Sequence, residues 1–156
     1  MPPVSRLELR IPPLVLVAAT VAGIWLSTIY APLVRVPFAG RQCVAAALVL
    51  AGLLLAAGGV LQFRRHRTTV NPMSPDKASA VVTSGFYRIS RNPMYLGMAV
   101  VLLGVAAWGA TLTGYLLVGA FCAYLTRFQI VPEERALLAA FGQEFSQYQA
   151  RVRRWI

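Results

Sequence analysis

Groups able to do acid–base, nucleophilic or metal chemistry are scarce in this chain. It has one histidine, His66, and five acidic residues, Glu8, Asp76, Glu133, Glu134 and Glu144. A lone imidazole offers no histidine pair for zinc, and no Ser-His-Asp set can be assembled from so few partners. Neither a GxGxxG turn nor a P-loop is present, and no metal site is expected. Position is more informative than number, because three of the five acids fall between Glu133 and Glu144. Pro132-Glu133-Glu134 reads as a helix start with acids in its first turn, where the helix dipole favours them. Upstream, Ser90-Arg91-Asn92-Pro93 reads as another start, with Asn92 as cap and Pro93 at the first helical position. Free N–H groups at such a start attract a carboxylate. Two polar stations of this kind suit binding and alignment better than proton transfer. Each also has a plain structural explanation: capping for Asn92-Pro93, dipole for the glutamates, headgroup contact for Arg91, Arg127 and Arg151, and an interfacial aromatic belt for Tyr87 and Tyr95.

The elements that must position these stations are apolar. Of 156 residues 58% are hydrophobic and only 13% charged, too apolar for an ordinary soluble domain. Uncharged stretches of 24, 22 and 35 residues lie between Arg10 and Arg35, Arg41 and Arg64, and Arg91 and Arg127. A crossing helix needs roughly 20 apolar residues, so the first two stretches hold one span each, Pro12–Tyr30 and Cys43–Phe63. The third is too long for one crossing and is interrupted at Gly109–Gly114, which predicts a hairpin of two shorter helices. The expected fold is an all-α integral membrane bundle of about four transmembrane helices with a C-terminal amphipathic helix. Thirteen of the fifteen basic residues fall at the chain ends and in the second connection, leaving Arg35 and Arg41 for the other side. Cytoplasmic segments collect such residues, so both termini are expected in the cytoplasm. The same clustering explains the net charge of +10 without nucleic acid. No small-x-small cleavage site closes the first span, which reads as a retained anchor rather than a secretory signal. Cys43 and Cys122 read as packing residues within spans.

The chain is expected to be one folding unit with two halves. Residues 1–63 read as a two-helix scaffold in which Gly52, Ala56 and Gly59 let helices approach closely. Residues 64–156 read as the functional half. It opens with a long polar connection carrying turn signals at Asn71-Pro72, Ser74-Pro75-Asp76 and Ser84-Gly85. It ends with a helix from Val131 whose Leu138, Phe141, Phe145 and Tyr148 make one apolar stripe headed by Glu134.

These motifs carry a family likeness. Thr83-Ser84-Gly85-Phe86-Tyr87-Arg88 followed by Ser90-Arg91-Asn92-Pro93-Met94-Tyr95-Leu96-Gly97 resembles the first signature of the isoprenylcysteine carboxyl methyltransferase family. Arg127, Glu133-Glu134-Arg135-Ala136-Leu137, Phe141-Gly142-Gln143-Glu144-Phe145 and Tyr148-Gln149-Ala150-Arg151-Val152 resemble its C-terminal block. The likeness covers about residues 68–153, and phospholipid N-methyltransferases are wider relatives. Two departures stand out: Asn92 replaces a frequent histidine, which removes any imidazole base there, and Arg153 replaces a frequent proline.

The resemblance implies an S-adenosylmethionine-dependent methyltransferase acting from the cytoplasmic side on a lipophilic or lipidated acceptor drawn from the membrane lipids. A carboxylate is the favoured acceptor because it is already a nucleophile at neutral pH. Carried onto this chain, the likeness implies a cofactor site from Gly85, Tyr87, Arg91, Asn92, Tyr95, Gly97, Glu133 and Glu134, with Glu134 favoured over Glu133. Arg91, Arg151 and Glu134 are the expected catalytic group, the arginines orienting the acceptor. Two alternatives stand beside it: an NADPH-dependent membrane reductase of the sterol-reductase type, and a non-enzymatic lipid-binding membrane protein.

Overall fold

The described residues form five α-helices: α1 Pro13–Tyr30, α2 Arg41–Arg65, α3 Pro93–Gly109, α4 Leu112–Leu125 and α5 Val131–Arg151. The structure, a computed structural model, describes residues 8–30, 33–66 and 79–156. The turn signals at Asn71-Pro72 and Ser74-Pro75-Asp76, and the basic residues Arg6, Arg67 and Lys77, lie outside the described residues. The protein is an all-α membrane bundle. α1, α2 and the continuous helical run Leu112–Phe141 are each long and apolar enough to cross a membrane, and α3 is a shorter apolar helix of 17 residues. The expected spans at Pro12–Tyr30 and Cys43–Phe63 correspond to α1 and α2. The hairpin break is tighter than expected: Ala110 turns the chain in a left-handed conformation, and Thr111 caps α4 by accepting from the Gly114 N–H.

Small residues bring α2 and α3 together. Their antiparallel contact runs through Ala45 with Gly104 and through Gly52 with Gly97, so close that a Cβ on Gly97 would lie 2.5 Å from the Gly52 carbonyl oxygen. Where lipid gives no hydrophobic drive between helices, such close approach is what holds them. α1 packs on α3 and α4, and the core gathers around Ile24, Leu102, Phe121, Leu125 and Ile130.

Backbone hydrogen bonds assign the loops to two ends. The α1–α2 connection pairs with the α3–α4 turn through Val36 N–H to Ala110 O at 2.8 Å and Leu112 N–H to Val34 O at 2.9 Å. At the other end Leu9 N–H donates to Phe128 O at 3.0 Å. The segment before α1 and the α4–α5 junction therefore share the end opposite those loops.

The C-terminal element departs from the sequence reading in two ways. Pro132 stands at the start of α5 as expected, but α4 runs into α5 without a break, through a π-helical turn, Thr126–Ile130. Proline lacks an N–H and its ring crowds the carbonyl four residues earlier, and a wider turn relieves both demands without ending the helix. The interruption comes later, at Gly142, whose φ of 51° and ψ of −119° are open to glycine and strained for other residues. The single stripe is thereby split. Phe145 and Tyr148 are buried with Val82 and Tyr87, whereas Leu138, before the bend, is 44% exposed.

Candidate functional site

The two polar stations meet. Tyr95, one turn into α3, donates its hydroxyl to Glu133 Oε1. Gln129 donates to the same oxygen at 2.6 Å and is buried on the π-helical turn. Arg91, just before α3, reaches Glu134 Oε1 through Nη2 at 2.8 Å. Its Nη1 donates to the carbonyls of Gln149 at 3.0 Å and Val152 at 3.2 Å. Glu134 also accepts from Arg154, Nη2 to Oε2 at 2.7 Å and Nε to Oε1 at 3.1 Å. Glu133 thus faces inward to Tyr95 and Gln129, while its neighbour faces two arginines.

The chain beyond α5 folds back over this cluster. The Arg91 N–H donates to Arg153 O at 3.0 Å, and Asn92 Nδ2 and Ser90 Oγ donate to Arg154 O at 3.0 and 3.4 Å. Trp155 Nε1 donates to Thr126 Oγ1 at 3.2 Å, fastening the tail to the π-helical turn. The wall is completed by Tyr87 on the 3-10 turn Gly85–Arg88, whose carbonyl accepts from the Tyr148 hydroxyl at 2.7 Å. The Tyr87 hydroxyl is buried without a partner among the described residues, as is Arg91 Nε. Burial, reinforced by the nearby Tyr148 and Glu133, pushes the Tyr87 phenol above its ordinary range. It therefore stays a neutral donor.

Other expected site residues occupy different places. Asn92 precedes α3 but its side chain makes no capping bond, being engaged with Arg154 O. Gly97 faces Gly52 and Ala56 of α2, so its lack of a side chain serves helix contact. Gly85 has a left-handed φ of 59° and lies against Gln62. Arg151 is exposed and lines a recess of about 400 Å³ with Thr83, Ser84, Arg88 and Tyr148, a lining that does not include Arg91. His66 is taken up in structure: its Nε2 lies 2.9 Å from Ser84 Oγ, which donates to Gln62 Oε1 at 3.0 Å. Among the described residues no cluster of metal-binding side chains occurs.

Sequence reasoning did not single out Gln129, Arg154 or Trp155. Gln129 carried a usable signal, as an amide one helical turn before Glu133 at the end of an apolar run. The tail carried none, since its return depends on the bend at Gly142.

Comparison with known proteins bears on what such a junction is for. An uncharacterized protein of Haemophilus influenzae is 36% identical over 63 residues, which is 40% of this chain and the whole of that relative. No solved structure matches the chain. The family model described as phospholipid methyltransferase matches residues 41–144, two thirds of the chain. That match runs from the start of α2 to just past the bend in α5, and takes in both stations with the hairpin between them. The chain belongs to the phospholipid methyltransferase family, within the isoprenylcysteine and phospholipid group of membrane methyltransferases.

Proposed function

We propose that this chain transfers a methyl group from S-adenosylmethionine to a lipophilic acceptor, most simply a carboxylate, at the bundle end where the two stations meet. The observation that carries this reading is the pair of bonds across the hairpin, Tyr95 to Glu133 and Arg91 to Glu134. The donor set suits the cofactor. Two buried donors, Tyr87 Oη and Arg91 Nε, lack an acceptor among the described residues, as a pocket for hydroxyls and a carboxylate requires. When bound, S-adenosylmethionine supplies an activated methyl group together with its leaving group.

The protein's task is then alignment and exclusion of water. Tyr87, Tyr95 and Glu133 present hydroxyls and a carboxylate at the foot of α3. Glu134 positions Arg91, and the two together hold the tail as a cover. A carboxylate acceptor needs no base, which fits a site whose nearest imidazole, His66, is bonded to Ser84. Arg151 and Arg88, at the recess beside Tyr148, orient the acceptor. This end of the bundle carries most of the arginines and faces the cytoplasm in this reading.

Titration of the detergent-solubilised full chain with S-adenosylhomocysteine, followed by labelled-methyl transfer to membrane extracts, tests the proposal. Saturable binding with label entering a lipid fraction is expected. Binding of NADPH instead would make the chain a reductase, and binding of neither would make it a lipid carrier; each outcome overturns the proposal.

A further inference from the structure

Far from the candidate site, α1 and α2 both rest on α3 with a cleft of about 720 Å³ between them. Ile24 and Trp25 form one wall, Ala46 and Leu50 the other, and Val105 the floor, while Arg35 and Arg41 stand at the mouth. No carboxylate among the described residues pairs with either arginine. All five acids lie elsewhere in the sequence, and α2 begins on Gly40 with no side-chain cap and no acid in its first turn. Uncompensated positive charge thus tops an apolar slot. Trp25 and Trp108, 64% and 58% exposed, flank it as ring systems do at the headgroup level.

We propose that this cleft is a binding site for an anionic phospholipid of the leaflet opposite the candidate site, with one acyl chain between α1 and α2 and the phosphate on Arg35 and Arg41. The volume lies within the range of about 300–1,000 Å³ that holds a small ligand. A second copy of this chain, itself carrying a net charge of +10, offers little to neutralise Arg35 and Arg41. Charge complementarity selects an anionic headgroup over a zwitterionic one, because each arginine near a membrane surface strengthens attraction to anionic lipid about fivefold.

The test compares thermal stabilisation and native-mass adducts of the full chain in neutral detergent with added phosphatidylglycerol, phosphatidylcholine or inorganic phosphate. Phosphatidylglycerol is expected to bind and stabilise most. Arg35→Gln with Arg41→Gln should erase its advantage over phosphatidylcholine, about fivefold for each arginine. Ala46→Phe, an exposed position on the cleft wall, should block both lipids while helical circular dichroism is unchanged. Equal stabilisation by the two lipids overturns the proposal, as does an equal effect of inorganic phosphate alone. So does a dimer that Ala46→Phe dissociates without any dependence on lipid.

Discussion

The Tyr95 hydroxyl on α3 donates to the Glu133 carboxylate on α5, and this bond ties the foot of one hairpin helix to the continuation of the other. Gln129, one turn earlier on the π-helical segment, supplies a second donor to the same oxygen. This carboxylate, held by two neutral donors on one oxygen, has no opposite charge against it among the described residues. That is how a group available to a cationic or hydroxylated ligand is kept in a low-dielectric site.

Tyr95→Phe retains the buried ring and removes one of those donors. Leaving a buried acceptor short of a partner costs about 1–3 kcal/mol. The variant should melt earlier than the parent and bind S-adenosylhomocysteine more weakly. Tyr124→Phe is the control: the Tyr124 hydroxyl is buried with no hydrogen-bond partner among the described residues, so its removal should leave binding unchanged and leave stability unchanged or raised. Equal behaviour of the two variants in thermal unfolding and titration would show that the Tyr95 bond does not organise the site.

Glu134→Ala strips the carboxylate from between Arg91 and Arg154. The Arg91 and Glu134 side chains are only 11% exposed, whereas Arg154 at 36% can turn to solvent. Removing one partner of a buried pair costs about 3–5 kcal/mol, and partial exposure with the carbonyls still bonded to Arg91 places this case at the low end. Binding of S-adenosylhomocysteine should be lost with helical content intact. Glu134→Gln, which keeps an acceptor for Arg91, should recover part of it. Unchanged affinity in Glu134→Ala would remove Glu134 from the site.

Much of this was legible in the sequence because bilayer physics is a strong constraint. Charge-free stretches of spanning length located α1 and α2, and the Gly109–Gly114 break located the hairpin. Both stations could be read because polar residues at the ends of such stretches are conspicuous. That they share one site was implied by the family likeness; which partner each glutamate takes was not, since that requires knowing that Glu133 points inward and Glu134 outward, a rotation set by the π-helical turn that precedes them. Periodicity assumes one helix, so it also carried the apolar stripe through Gly142, where the backbone departs from helical geometry. Gly97 lies within a site-like motif, and its close neighbours in the fold are Gly52 and Ala56 of another helix.

Gly142→Ala tests the bend alone. A Cβ there meets no atom within 4 Å, so its cost is conformational, about 1–3 kcal/mol for holding a side-chain residue in a sparsely populated region. Straightening would withdraw Phe145 and Tyr148 from Tyr87 and lift the tail off Arg91. Lower stability, weaker near-ultraviolet dichroism and reduced methyl transfer are expected together. Gly119→Ala, on α4 and equally open, should be neutral or stabilising by up to about 1 kcal/mol from helix propensity. Chemical denaturation of the pair separates bend from bulk.

Glu8 gives the segment before α1 an acid-sensitive attachment. Its carboxylate is nearly covered, with a side chain 3% exposed, and accepts from Arg127 at 2.7 Å and Arg135 at 3.3 Å. The Arg127 hydrogen bond holds its pKa below the ordinary value of 4.5; burial opposes this, and Arg135 adds to the lowering. A carboxyl that gives up its proton more readily when folded stabilises the docked state at pH above its unfolded pKa. The contribution declines as pH falls from that value through the folded one. Docking should therefore be constant near neutrality and loosen in acid below about pH 4.5. The reporter is the Leu9 amide, held by Phe128 O: its hydrogen-exchange protection, corrected for intrinsic rate, should fall in acid. In Glu8→Gln it should be lower at neutral pH and flat with pH. Added salt should also weaken it in the parent, since both arginines are about half exposed and open to screening. Protection that ignores pH in the parent, or an equal slope in Glu8→Gln, would assign the docking to the backbone bond instead of the carboxylate.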